Sequence, residues 1–434
     1  MMSSKSEKSK NDIAWESLFE VHHILDEINK NGVYKISAKV INTKREARLM
    51  TKFDHHIQLP SIFKQNHLTI QPDSRGSYII GRFKSYESLP KESFTDIQEV
   101  PFPNNIDTIN PTNIYSESCA ILCAYNTGII ADLLEEETKF TVSGRMSTGK
   151  FSYLINSTQD ESIYEVTVDN SQCEIDSGFE GDNILAIIEA KNQTVDDFLV
   201  RQLYYPYRLW KSKTKKQVIP IFLFYSNDIF SFYIFRFKDD NCYNSIELVK
   251  QKKYQIGSND IELDDITAIL ERVKIKPEIE GIPFPQADSF IRVIDLTMQI
   301  YNINTSLSQE DITLNYAFDI RQSQYYTNAA IYLNLVQKRT DKDQGVTYSI
   351  TERGVNIMDR TPRKRNLALV ECILEKKIFN HTLRLYLQKG SKPTLHQVVE
   401  IMTDAQLHLG SQTMLRRGQT VLAWIDWIMG LTQL

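Results

Sequence analysis

The chain has 434 residues, with 50 Lys and Arg against 55 Asp and Glu, a formal net charge of −5, and 41% hydrophobic residues. That content sustains buried cores over a length suited to roughly two to three domains. It excludes a disordered polyelectrolyte, a histone-like polycation and an acidic tail, so any nucleic-acid contact must come from local basic patches. The five cysteines, Cys119, Cys123, Cys173, Cys242 and Cys372, are scattered and predict buried thiols in a reducing cytoplasm, not a disulfide framework or a metal cluster. No apolar run reaches the length of about 18 residues that a membrane span needs; the nearest, 219–237, is interrupted by Ser226, Asn227 and Asp228. No membrane partner is expected.

In chain order, the charged start (residues 1–12) reads as a frayed tail with no apolar segment behind it. Residues 12–31 carry Trp15, Leu18, Phe19, His22, Ile24, Leu25 and Ile28 near helical spacing and predict one amphipathic helix. A short apolar segment at 37–41 and a basic helix over 44–53, with Lys44, Arg45, Arg48 and Lys52, are compatible with a helix-turn-helix. Residues 77–83 read as a strand. Pro90, Pro101, Pro103 and Pro111 mark 85–111 as a linker. One long helix is expected over 113–135. Strands are expected at 139–145, 150–156, 162–168, 171–176, 183–191, 217–226, 229–237 and 245–251, with a helix at about 195–210 between them. That mixture makes the central part α/β or α+β. Gly144 to Lys150 imitates a phosphate-binding loop, but Phe151 stands where a Ser or Thr is required and a strand follows, so a Gly-punctuated hairpin is the better reading.

Beyond 256 the chain turns helical. Ser308 and Asp311 form a capping box opening a short helix, a second helix covers 321–333, and two strands flank the polar loop 341–345. Helix, turn, helix and wing in that order are a winged-helix signature. Residues 395–434 predict a further helical unit.

The chemistry concentrates in residues 171–193. If Asp182 and Asn183 form a two-residue turn, counting back along both strands puts Asp176 opposite Glu189. Lys191 leaves the strand on the same face as Glu189, while Ala186, Ile188 and Ala190 face the core. Two facing acids and a lysine at the end of an apolar strand suit phosphodiester hydrolysis: carboxylate oxygens hold a hard divalent cation, and the ammonium orients water or offsets developing charge. A salt-bridge cluster, with Glu174 opposite Lys191, is the structural alternative. Glu180 and Asp182 compete with Asp176 as the first acid. Two further E-x-K triplets, Glu137 to Lys139 and Glu375 to Lys377, read as charged helical surface. Asp54, His55 and His56, with His22, His23 and His67, lack the spacing of a metal site.

The run from Ile175 through Glu189-Ala190-Lys191, followed by FLVRQLYYPYR, resembles the PD-(D/E)xK nuclease core of type II restriction endonucleases, in a group that joins this core to winged-helix domains. The later FDIRQSQYYTNAAIYLNLV and YSITERG segments strengthen the resemblance. It implies Asp176 and Glu189 as Mg²⁺ ligands and Lys191 as the catalytic lysine. Gln202 resembles the glutamine of a Q-x-x-x-Y element, although Tyr205 is one residue too near and Tyr207 one too far. Ile175 stands where the family has proline.

The expected architecture is therefore α/β (α+β): an N-terminal DNA-contacting domain (1–110), a PD-(D/E)xK nuclease domain (111–256) and C-terminal winged-helix material (257–434). The expected function is Mg²⁺-dependent, site-specific cleavage of double-stranded DNA to 5′-phosphate ends, in a cytoplasmic restriction–modification system with a companion methyltransferase. A palindromic recognition sequence would call for a homodimer. The alternatives are a winged-helix regulator with an inactive core and a repair nuclease that reads DNA structure. Arg321, Gln322, Gln324 and Asn328 are the candidate base readers. Arg45, Arg48, Lys52, Arg416, Arg417 and the triplet Arg363, Lys364, Arg365 are the candidate phosphate contacts, with Arg145 and Lys150 as additional ones.

Overall fold

The computed structural model describes residues 8–90, 96–257, 260–278, 281–303, 305–315, 318, 320–341, 345–407 and 409–432. The first seven residues of the tail expected over 1–12, the middle of the expected linker (91–95) and the tip of the expected wing (342–344) lie outside them, whereas residues 10–12 of that tail already belong to the first helix, capped by Ser9. Among the described residues helices combine with four sheets in a mixed α/β architecture. Among the described residues no helix is long and apolar enough to cross a membrane.

The largest sheet has seven strands in the order Ile97–Val100, Ile246–Ile256, Ile229–Phe237, Gln217–Ser226, Ile184–Lys191, Gln172–Glu180 and Lys139–Ser147. Ile184–Lys191 runs parallel to Gln217–Ser226. A parallel pair needs a crossover, and helix Arg201–Lys211 supplies it, packing Leu203 and Tyr204 over Leu185 and Ile187 on one face. Helices Glu117–Asn126 and Ile129–Leu134 cover the other face over Ala186, Ile188 and Ala190. A strand covered on both faces must be apolar along its length, which explains why its first polar side chain is Glu189. The single helix expected over 113–135 is two because Gly128 turns the chain at φ 79°.

The hairpin expected around Gly149 is instead a bend in a longer ribbon. Lys139–Ser147 pairs with Gln172–Glu180 in the seven-stranded sheet, and Lys150–Asn156 pairs with Ile163–Asp169 in a five-stranded one. The register passes through the bend unbroken, Ser147 facing Gln172 and Lys150 facing Asp169. Gly149 at φ 70° and Asn170 at φ 53° absorb the turn.

The N-terminal strands Val33–Ser37, Thr69–Ser74 and Ser77–Gly81 complete the five-stranded sheet, joining it where Ser74 faces Asp169. Residues 1–110 and 111–256 therefore share a sheet. The expected linker contains two strands: Tyr86–Ser88 pairs with Asp197–Leu199, and Ile97–Val100 with Ile246–Ile256. Pro90 and Pro101 punctuate around these strands without entering them. The helix expected over 12–31 breaks into Lys10–Val21 and Ile24–Asn31, with His23 left-handed at φ 48°. The basic helix expected over 44–53 shortens to Ala47–Thr51.

In the C-terminal part, helix Phe290–Ile303 is followed by strand Leu307–Ser308, helices Gln309–Asn315 and Ile320–Tyr332, and strands Val336–Asp341 and Gly345–Ile350. The last strand lies between the other two. The capping box forms as read: Asp311 N–H donates to Ser308 Oγ and Ser308 N–H to Asp311 Oδ2, each at 3.1 Å. Helices from Glu352–Met358 to Ser411–Gly430 complete a shared apolar core around buried Trp424, whose Nε1 donates to Ala287 O at 2.7 Å.

Helix Phe290–Ile303 also seams this part to the central sheet. Asp295 Oδ2 accepts from Thr194 N–H at 2.9 Å, its Oδ1 accepts from Ser226 Oγ at 2.7 Å, and Gln299 donates to Asn192 O at 3.2 Å. Arg365, expected as a phosphate contact, is buried and paired through Nη2 with both carboxylate oxygens of Asp228. A guanidinium enclosed with its carboxylate is a structural pair, unavailable to DNA.

Candidate active site

The turn at Asp182-Asn183 closes the hairpin, Gly181 N–H donating to Ile184 O at 3.0 Å. Leu185 faces Glu180 and Ile188 faces Ser177, so the next step along the ladder is Glu189 and Asp176. The Asp176 carboxylate reaches across, Oδ2 accepting from Ala190 N–H at 2.7 Å. Glu189 is buried and its Oε1 accepts from both Lys191 Nζ and Gln202 Nε2 at 2.5 Å. Lys191 Nζ also donates to Ala190 O at 3.2 Å. The four residues Asp176, Glu189, Lys191 and Gln202 are thus brought together by two strand ends and the crossover helix.

The competing acids are elsewhere. Glu180 accepts from Lys216 at 2.7 Å near the turn, Asp182 is exposed in the turn itself, and Glu174 pairs with Arg145 at 3.3 Å, not with Lys191. Neither tyrosine of the element resembling Q-x-x-x-Y reaches the site: Tyr205 donates to Pro72 O and Tyr207 bonds Asp240. Of the other E-x-K triplets, Glu137 is exposed, but Glu375 is buried between Lys276 at 2.7 Å and Arg353 at 2.9 Å. It sits between helices Pro362–Leu374 and Lys377–Lys389, so the surface reading of that triplet was incorrect.

Asp176, Glu189 and Lys191 lie on the floor of a cleft of about 640 Å³, walled by the N-terminal segments on one side and the central ribbon on the other. Three further acids line it, Glu117, Asp54 and Glu174, the last paired with Arg145. Glu117 opens helix Glu117–Asn126, whose Ser116 cap accepts from Cys119 N–H. In sequence it is indistinguishable from any acid that favours the positive end of a helix, and Asp54 carries no motif.

Around Lys191 acid outnumbers base, with Glu189, Glu117, Asp54 and Asp176 all acting on the one ammonium, while Arg48, Lys52, Arg75, Arg145 and Arg201 line the rest of the cleft. Burial pushes the Glu189 carboxyl up to about 8, with Lys191 pulling it down and Asp176 pushing it up. Burial likewise raises Asp176 and Glu117, against the opposing pull of Lys191. Burial works against the charge on Lys191, but Glu189, Glu117, Asp54 and Asp176 outweigh it and hold the ammonium protonated above the ordinary lysine value. Among the described residues no three His, Cys, Asp or Glu side chains are gathered as a metal cage.

The candidate DNA contacts divide. Arg48 and Lys52 are exposed and line the cleft. Arg45 is not available: its guanidinium bonds Asn11 at 2.8 Å and pairs with Glu310 across to the C-terminal part. Arg417 donates to Gln286 at 2.7 Å, and Arg363 to Asp265 at 2.7 Å. On helix Ile320–Tyr332, Arg321, Gln324 and Asn328 fall on one face at helical spacing, joined by Arg416 stacked 5.9 Å over the Tyr325 ring. Gln322, half-buried, lies off that face.

Three family models match the chain, each described as a domain of unknown function: residues 12–80 (DUF6996), 81–255 (DUF6997) and 292–433 (DUF7226). No curated protein and no solved structure matches it.

Proposed function

We propose that the chain is a type II restriction endonuclease with a PD-(D/E)xK core, cutting double-stranded DNA at a specific sequence with Mg²⁺ and leaving 5′-phosphate ends. The observation that carries this reading is the convergence of Asp176, Glu189 and Lys191, braced by Gln202, on the floor of an open cleft. Asp176 and Glu189 fit a hard divalent cation: they offer carboxylate oxygens, and the burial that raises both, with the repulsion between them, is what a cation would offset. Mg²⁺ bound there supplies polarisation of the phosphate and a water of lowered pKa.

The protein's own groups do the rest. Lys191 stays charged and is placed to orient the attacking water or offset charge gathering on the phosphate. Lys191 and Gln202 converge on Oε1 of Glu189, so Oε2 carries neither of these bonds. The water oxygen gives up a proton to solvent and bonds phosphorus as the bond to the 3′-oxygen breaks, and that 3′-oxygen takes up a proton from solvent.

The order helix, strand, helix, helix, strand, strand supports a winged-helix reading of residues 290–350. Arg321, Gln324 and Asn328 then present the side-chain types that pair with guanine and adenine edges. A restriction role brings with it a companion methyltransferase that protects host DNA.

Digestion of phage DNA with Mg²⁺, followed by sequencing of the ends, should yield discrete cuts. Asp176→Ala, Glu189→Ala and Lys191→Ala should abolish cutting while duplex affinity in Ca²⁺ stays equal or rises, and Glu137→Ala should cut normally. Full cleavage by Lys191→Ala would overturn the assignment.

A further inference from the structure

We infer that the cleft is a channel for the phosphodiester backbone, anchored by Arg201 on the central wall and by Arg48 and Arg75 on the N-terminal wall. This rests on the nuclease reading and deepens it by naming the groups that hold the substrate.

All three arginines line the same cleft as the acids and Lys191. Among the described residues none of the three forms an ion pair, whereas Arg45, Arg145, Arg292 and Arg365 each have a carboxylate partner. Arg201 goes further, because its Nε is buried without a hydrogen-bond partner. A buried guanidinium N–H left unpaired costs stability, a cost that a phosphate bound at Arg201 would remove. The side chain is held in place, its guanidinium 5.6 Å over the Tyr205 ring. It leaves the crossover helix one residue before Gln202, so a single turn sends Gln202 to the acid floor and Arg201 to the wall above it.

The charge pattern selects the ligand. Arg48 and Arg75 are exposed, while Asp176 and Glu189 lie deeper. A small monoanion at the floor would meet repulsion from the acids. A chain of phosphates offsets this, because neighbouring phosphates can engage separate arginines and so hold the one that lies over the floor. The planar guanidinium matches phosphate oxygens in paired hydrogen bonds.

The test measures binding of a labelled duplex by the full chain in Ca²⁺ across a range of salt. Arg201→Ala, Arg48→Ala and Arg75→Ala should each lower the slope of log affinity against log salt by about 0.9 and weaken cognate and random duplexes alike, about tenfold. Arg201→Lys, which keeps the charge, should restore the slope. Arg272→Ala, an exposed residue paired with Glu371 outside the cleft, should change nothing. Unchanged slopes in the cleft variants while the wild type still cuts DNA overturn the channel and leave the nuclease reading standing. Should Arg201→Ala fail to fold, unchanged slopes in Arg48→Ala and Arg75→Ala overturn it equally. Lower slopes in a protein that cuts no DNA support the channel and remove the nuclease reading. A wild type with no duplex binding removes both.

Discussion

Replacing Asp295 by Asn keeps the shape of the seam between the C-terminal part and the central sheet but removes its ionisable group. Burial pushes the Asp295 carboxyl up to about 6, against the hydrogen bonds from Thr194 and Ser226 and the Arg292 charge, which favour ionisation. The folded protein therefore holds this proton more tightly than the unfolded chain. Raising a carboxyl from 3.8 to about 6 corresponds to about 3 kcal/mol, at about 1.4 kcal/mol per pH unit. The sign follows from linkage: between about pH 4 and 6 the folded state binds more protons, so the wild type loses this stability as pH rises and then levels off. Asp295→Asn has no such term. Across the range tested its deficit relative to the wild type should be largest near pH 4 and shrink by about 2 kcal/mol by pH 7, the remainder of the full effect lying below pH 4. Urea unfolding of both proteins at half-unit steps from pH 4 to 7.5 measures this as the gap between midpoints. A gap that stays constant across that range would refute the argument and show that Asp295 titrates alike in the folded and unfolded chains.

Gly354→Ala would place a Cβ 2.2 Å from the Leu335 carbonyl oxygen, which is backbone and cannot swing aside. A loss of about 1–3 kcal/mol is expected in thermal unfolding, and an unchanged midpoint would contradict the close approach. Arg321→Ala or Gln324→Ala should cost about 1–3 kcal/mol on cognate DNA and much less on random DNA. Equal losses on both would reassign that helix face to backbone contact.

The site was largely legible because it is local. A two-residue turn and alternation along two adjacent strands suffice to set Asp176 beside Glu189 and Lys191, and the observed ladder keeps that register. Gln202 was legible through its place on the helix after the motif, and it bonds Glu189. What escaped depends on distance or on single backbone angles. Arg45 looks like a free basic residue until Glu310, 265 positions away, is folded against it. Glu375 and Arg365 look solvated for the same reason. Helices broken at His23 and Gly128 show continuous apolar periodicity, because one residue at positive φ leaves no trace in a pattern of side chains. The strands Tyr86–Ser88 and Ile97–Val100 are too short to show a period, and nearby prolines disguise them as linker.

The bent ribbon has a consequence for how the two walls of the cleft could separate or diverge. Walls tethered by a flexible loop can rotate independently, and insertions in the tether cost little. Here two paired strands run through from one sheet to the other, crossing at Thr148-Gly149 and Asn170-Ser171, where Thr148 N–H donates to Ser171 O and Asn170 N–H to Gly149 O. Widening the cleft means flexing a hydrogen-bonded ladder about that crossing, so the gap behaves as a stiff spring. An odd insertion within either strand exchanges its inward and outward side chains beyond that point. An insertion at the crossing leaves both faces intact and alters only the angle between them. Variation in cleft width among related chains should therefore concentrate at those four residues.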